Sequence, residues 1–152
     1  MLAHALALVA MIVGPATITG KAKQARLASV ESRVDEKKLS IRDPKGTLRT
    51  ELQEALDGVD WKREGVDRPF EVLAVLSGAE STSTREGVRA SFSVQVIVRE
   101  PNGAILGSVT GRARGEDKKT SRGALEREVL EAAAESASAA IPEAVRKSRH
   151  VR

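Results

Sequence analysis

From Val88 onward the chain alternates with a period of two. Val88, Ala90, Phe92, Val94, Val96 and Val98 fall on one side, and Arg89, Ser91, Ser93, Gln95 and Arg99 on the other, with Ile97 the single exception. Only an extended strand sends every second residue to the same face, so residues 88–99 read as a β-strand with one buried and one wet side. Glu100-Pro101-Asn102-Gly103 comes next. Proline suits the first central position of a type I turn, and glycine supplies the positive φ that closes it. The pattern predicts a hairpin whose antiparallel return strand runs over residues 104–115.

That return strand carries Gly103, Gly107, Gly111 and Gly115, one every four residues. On a strand this spacing puts them on one face, together with Ile105, Val109 and Ala113. Such a face is low. The C-terminal segment offers a face rich in small residues, Leu125, Val129, Ala132, Ala133, Ala137, Ala140 and Ala144, at helical spacing. The two faces can approach closely, and we expect them to pack together. A transmembrane G-x-x-x-G dimerisation motif is excluded by Arg112 and Arg114 within the same stretch. A phosphate loop needs its glycines between a strand and a helix, with Lys-Ser/Thr following, and these lie inside a strand.

Upstream, residues 70–78 are apolar on both faces after Glu71, as in a central strand. Residues 79–87, with Ser81-Thr82-Ser83-Thr84, read as a polar loop. Asp43-Pro44-Lys45-Gly46 reads as a turn, Thr47 as a helix N-cap, and Leu48, Leu52, Ala55 and Leu56 as one apolar helix face over residues 47–57, with Gly58 just past its end. Residues 17–46 are ambiguous between linker and strand, with Leu39-Ser40-Ile41 the clearest strand candidate. A long helix is expected over residues 121–147, acidic in its first half and basic at its end, with a kink or break at Pro142. The fold class that follows is α+β in two layers. A small antiparallel sheet of about three to four strands packs against an N-terminal helix and a long Ala-rich C-terminal helix, the domain spanning residues 47–147 with a basic tail at 148–152.

The first residues obey different rules. Leu2 to Val13 is apolar apart from His4, and Gly14-Pro15-Ala16 follows. An apolar run of about 7–15 residues ending in small residues is the pattern of a secretory signal. Residues 1–25 are therefore expected to be an export segment cut after Ala16 or after Ala25, leaving no transmembrane span in the mature chain. A buried helix or a retained anchor are the alternatives, because no Lys or Arg precedes the run. The expected location is periplasmic or extracellular.

Chemistry is limited by what the sequence omits. There is no cysteine, and the two histidines, His4 and His150, lie at the two ends. Thiol catalysis, Ser-His-Asp triads and the usual zinc sites are thereby excluded from residues 17–147, and so is a lipid-bearing cysteine anywhere in these 152 residues. Glu116-Asp117 is the most suggestive carboxylate pair, although acids near a helix start commonly serve as caps. No cofactor is implied. The net charge is +4. The basic residues gather at Arg112, Arg114, Lys118, Lys119 and Arg122, a candidate anion site, and again at Arg146, Lys147, Arg149 and Arg152. Single-stranded nucleic acids are usually held by stacking aromatics, and this chain has only Trp61, Phe70 and Phe92. Anionic polymers or lipid headgroups fit the basic clusters better than nucleic acid does.

The order of elements, a helix at residues 48–56, a strand, a hairpin through Pro101-Asn102-Gly103 and a long terminal helix, all after an export segment, resembles a group of small bacterial envelope accessory domains. The N-terminal domain of the Tol-system translocation protein and the curli-secretion lipoproteins belong to it. In that group a helix with Leu-Arg near its start precedes a strand and a hairpin. Leu48-Arg49 and Arg99-Glu100-Pro101-Asn102-Gly103 stand in similar places here. The chain departs from the lipoprotein members in having no cysteine to carry the lipid. The resemblance implies a non-enzymatic accessory module whose partner is another envelope protein.

Overall fold

A computed structural model describes the chain over residues 24–150. Residues 1–23 of the expected export segment, and Val151 and Arg152 of the basic tail, lie outside the described residues. Four strands form one sheet in the order β1 (Ala25–Ser32), β2 (Phe70–Thr84), β3 (Gly87–Arg99) and β4 (Ile105–Asp117). Three helices, α1 (Pro44–Asp57), α2 (Arg122–Ala139) and α3 (Ile141–His150), complete an α+β fold. The sheet is mixed: β2, β3 and β4 are antiparallel, whereas β1 runs parallel to β2, with α1 in the crossover between them.

The alternation in β3 is realised in full. Val88, Ala90, Phe92, Val94, Val96 and Val98 are buried in the core against the helices. Gly103 closes the β3–β4 hairpin at φ 98°, donating to the Glu100 carbonyl at 2.8 Å. The stretch expected as a polar loop at 79–87 is instead the second half of β2. It pairs with β3 residue by residue up to Thr84 and Gly87, leaving only Arg85-Glu86 as the turn. Its Ser and Thr residues carry no apolar period, so the strand is held by its ladder rather than by burial.

The β3–β4 register shifts between Val98 and Arg99, where Leu106 is the extra residue. This bulge turns Leu106 to the core and leaves Ile105 71% exposed, so Ile105 does not share the glycine face. Gly107, Gly111 and Gly115 do share it. A Cβ at Gly107 would sit 3.5 Å from Ala144, and one at Gly115 would sit 3.0 Å from Val129. At Gly111 it would run into the backbone of Ala133 and Ala137. The close approach of glycine strand and small-residue helix is therefore real. Within α2 the buried apolar set is Leu125, Val129, Leu130, Ala133, Ala134 and Ala137, with Glu126 the one buried charged residue, while Ala132 is exposed.

Pro142 divides the C-terminal segment as expected. α2 ends at Ala139, Ala140 is its cap, and proline takes the second position of α3, where its missing N–H costs nothing. α1 starts earlier than Thr47. Asp43, in the left-handed conformation at φ 46°, caps it by accepting from the Gly46 amide at 3.0 Å, and Pro44 opens the first turn. Leu48, Leu52 and Leu56 are the buried face. Trp61 seals the crossover: its indole donates to the Leu56 carbonyl at 3.1 Å, and its ring meets Phe70 edge-on at 4.9 Å.

Of residues 17–46, those described, 24–46, depart from the expectation of a strand at Leu39-Ser40-Ile41. The strand is Ala25–Ser32, and 39–41 is irregular chain following a single 3-10 turn at Glu36–Lys38. β1 pairs only with a strand more than 40 residues downstream, a contact that no local pattern announces.

Candidate binding face

The described helices all pack on one side of the sheet. On the opposite side, which none of them covers, Glu71 and Val75 are buried among their neighbours and the remaining residues are half-buried or exposed. The residues of that open side form rows across the strands. Arg26, Glu71 and Arg99 make an ion-paired row at one end, with Glu71 3.2 Å from each arginine. Leu73 beside Ile97, and Val75 beside Gln95, make an apolar middle. Beyond them lie Gly78–Ser93–Arg112, then Glu80–Ser91–Arg114, then Thr82–Arg89–Glu116. Ser91, Ser93, Arg112 and Arg114 border a shallow depression of about 520 Å³, with Glu80 on its far rim.

Two of the five residues anticipated as an anion site, Arg112 and Arg114, come together on this face. Both are exposed, and no carboxylate among the described residues lies within ion-pair distance of either. Lys118 and Lys119 are exposed in the loop after β4, beside a second depression of about 540 Å³ shared with Glu86, Arg89 and Glu116. There Arg89 is already paired with Glu116 at 3.1 Å.

Arg122 does not join them. It lies on the helix side, where its guanidinium donates to the Ser81 hydroxyl at 2.9 Å and to the Lys38 carbonyl at 2.6 Å, and stands 3.3 Å from Glu126. Glu126 is fully buried. Its carboxylate accepts from the Ser40 amide at 2.7 Å, the Ile41 amide at 3.2 Å and the Ser81 hydroxyl at 3.0 Å. These bonds fasten the chain before α1 to α2 and β2. Ser81 falls in the stretch expected as a polar loop. Its hydroxyl is instead held between Glu126 and Arg122, and it belongs to a strand. Sequence reasoning missed Glu126, which reads as one more acid on a helix. Its only signal is that it falls between buried Leu125 and Val129.

Glu116 and Asp117 do not form a working pair. Adjacent strand residues point to opposite faces. Glu116 pairs with Arg89, while Asp117 accepts from the Lys119 amide at 2.8 Å as a turn cap. Among the described residues no cluster of three or more His, Asp or Glu could hold a metal, and no helix is long and apolar enough to cross a membrane. In the second basic cluster Arg146 is bound to Glu64 at 2.9 Å and Lys147 to Glu143 at 3.1 Å.

No protein-family model matches the chain, and no curated protein matches it by sequence. Solved structures match its fold. A minor lipoprotein from Acinetobacter baumannii is 14% identical with a TM-score of 0.52, over 80% of this chain and 92% of that one. A Caulobacter crescentus protein proposed to be a lipoprotein is 15% identical with a TM-score of 0.50, over 86% and 93%. A hypothetical protein from Chlamydia trachomatis is 14% identical with a TM-score of 0.52, over 81% and 98%. At these identities the likeness is one of fold: a small α+β domain of a kind found among bacterial lipoproteins. None of the three bears a Tol-system or curli name, so the closer resemblance drawn from element order is not met among them.

Proposed function

We propose that this protein is a non-enzymatic accessory module of the bacterial cell envelope, exported to the periplasm or beyond, that binds another envelope protein. The observation that carries the reading is the one-sided covering of the sheet. The described helices lie on one face, and the other presents an ordered polar and apolar surface bordered by β4, whose outer side no described strand pairs with. A fold shared with bacterial lipoproteins and an apolar N-terminal run that fits an export signal support it. The test is to place a photo-crosslinking residue at Thr110 in native cells, fractionate them and weigh the product. The reading expects a shortened chain outside the cytoplasm, crosslinked to an envelope protein. A full-length chain in the cytoplasm overturns it.

Arg112 and Arg114, which no carboxylate among the described residues pairs with, favour a second reading, in which the same face holds an anionic polymer or lipid headgroups. Affinity for such a ligand falls steeply with added salt. Binding to anionic vesicles that is indifferent to salt, or absent, removes this alternative.

A further inference from the structure

The two edges of the sheet differ. β1 is eight residues long and bulged between Leu27 and Ser29. β4 is 13 residues long, and past its bulge at Leu106 it stays in unbroken register with β3 from Gly107 to Asp117. It contains no proline, and among the described residues nothing pairs with its outer side. A long regular edge of this kind is a template for another strand, and proteins that keep such an edge usually guard it with charge. Here the charges on the open face are Arg112, Arg114 and Glu116, and Glu116 is already paired with Arg89 on β3, which leaves the two arginines as the edge's uncompensated charge.

Those arginines also select what can bind. Antiparallel pairing of two copies of β4 about Ala113 sets Arg112 of one copy against Arg114 of the other, twice. Parallel in-register pairing sets each arginine against itself. Like charges directly opposite across a strand pair are destabilising, whereas opposite charges stabilise it. Glu80 does not cancel the field at the edge. It sits on β2, two strands in from β4, so a strand added outside β4 lies three strand spacings away, about 14 Å. That exceeds the screening length of about 8 Å at physiological ionic strength. The arginines would be one spacing away.

We infer that the β4 edge is a docking site for an extended acidic segment of a partner protein, with Asp or Glu at alternate positions opposite Arg112 and Arg114, added as a fifth strand. The arginines disfavour a second copy paired about Ala113 or in parallel register, and they favour the acidic strand. This rests on the reading of the protein as a partner-binding module and specifies where and by what chemistry the partner is held.

The test uses the purified protein and labelled 12-residue peptides of alternating Thr and Glu, a block-scrambled version of equal charge, and a Thr-Lys counterpart. The alternating Glu peptide should bind at least about tenfold tighter than the scrambled one, and the Lys peptide should not bind. Binding should slow amide exchange at alternate residues of β4. R112E/R114E, with its fold checked by thermal melting, should reverse the preference toward the Lys peptide. Equal binding of alternating and scrambled peptides, or unchanged binding by R112E/R114E, overturns the inference. So does protection confined to other strands. If crosslinking from intact cells still captures an envelope protein while these peptides fail, strand addition falls and the accessory-module reading stands.

Discussion

Gly111 of β4 lies so close beneath Ala137 of α2 that a Cβ built on the glycine would stand 2.8 Å from the alanine's own Cβ, and nearer still to the Ala133 carbonyl. The obstructing atoms are helix backbone, which cannot rotate aside. The spacing between sheet and helix at this point is thus set by the absence of a methyl group on Gly111.

Gly111→Ala should therefore destabilise the fold by about 1–3 kcal/mol, the usual cost of overpacking. Gly107→Ala meets only ordinary contact at 3.5 Å from Ala144 and should stay within about 0.5 kcal/mol of the parent. Denaturant midpoints of the two variants check the contrast. Equal effects would show that the helix is free to shift.

Removing the Glu126 carboxylate leaves the Ser40 and Ile41 amides and the Ser81 hydroxyl without their acceptor in a buried place. Glu126→Ala should cost about 3 kcal/mol, the low end for breaking a buried pair, because Arg122 is partly exposed and keeps the Lys38 and Ser81 carbonyls. Amide exchange should accelerate first at Ser40 and Ile41. Uniform acceleration across the sheet would argue against a local tether.

Burial, and then the charges of Glu131, Glu54 and Glu135, push the Glu51 carboxyl above its usual range. A carboxyl raised in the folded state favours the fold when protonated. Its penalty is full above the folded pKa and vanishes as pH falls below the unfolded one. Glu51→Gln should raise the thermal midpoint at neutral pH, and the gain should disappear as pH drops through the carboxylate range. A gain that persists in acid would mean that the charge was not its source.

Gln24 and Ala25 are built into the fold. The Gln24 side chain donates to the Val66 carbonyl at 2.9 Å, its own carbonyl accepts from Phe70 at 2.7 Å, and Ala25 is buried at the head of β1. Of the two cleavage points, the one after Ala16 keeps these contacts and the one after Ala25 removes them. If the segment is cleaved as proposed, the mature chain should begin at Thr17, which N-terminal sequencing reads directly. A chain beginning at Arg26 should show a lowered melting temperature, and its recovery as the stable native form would contradict this expectation.

Some features were legible because their causes are local. The period of β3, the turn at Pro101-Asn102-Gly103 and the break at Pro142 each follow from backbone geometry within a few residues. The glycine row of β4 was legible because its spacing and that of the alanines in α2 are both periodic. Arg112 and Arg114 were legible as part of a basic cluster, because a grouping of like charges shows in the sequence itself.

The remainder depended on partners far away in the chain. Ala25–Ser32 becomes a strand because β2 offers it a parallel ladder. The polar half of β2 stays extended because β3 holds it, and Leu106 displaces Ile105 because the two strands are one residue out of step. Arg122 looked like one more surface cation until the fold set it against Glu126 and Ser81. The sequence by itself determined which segments alternate, turn and break, since those are properties of neighbouring residues. Only the tertiary structure decided which strands are edges and which charges are already paired, because both depend on contacts that form when distant segments meet.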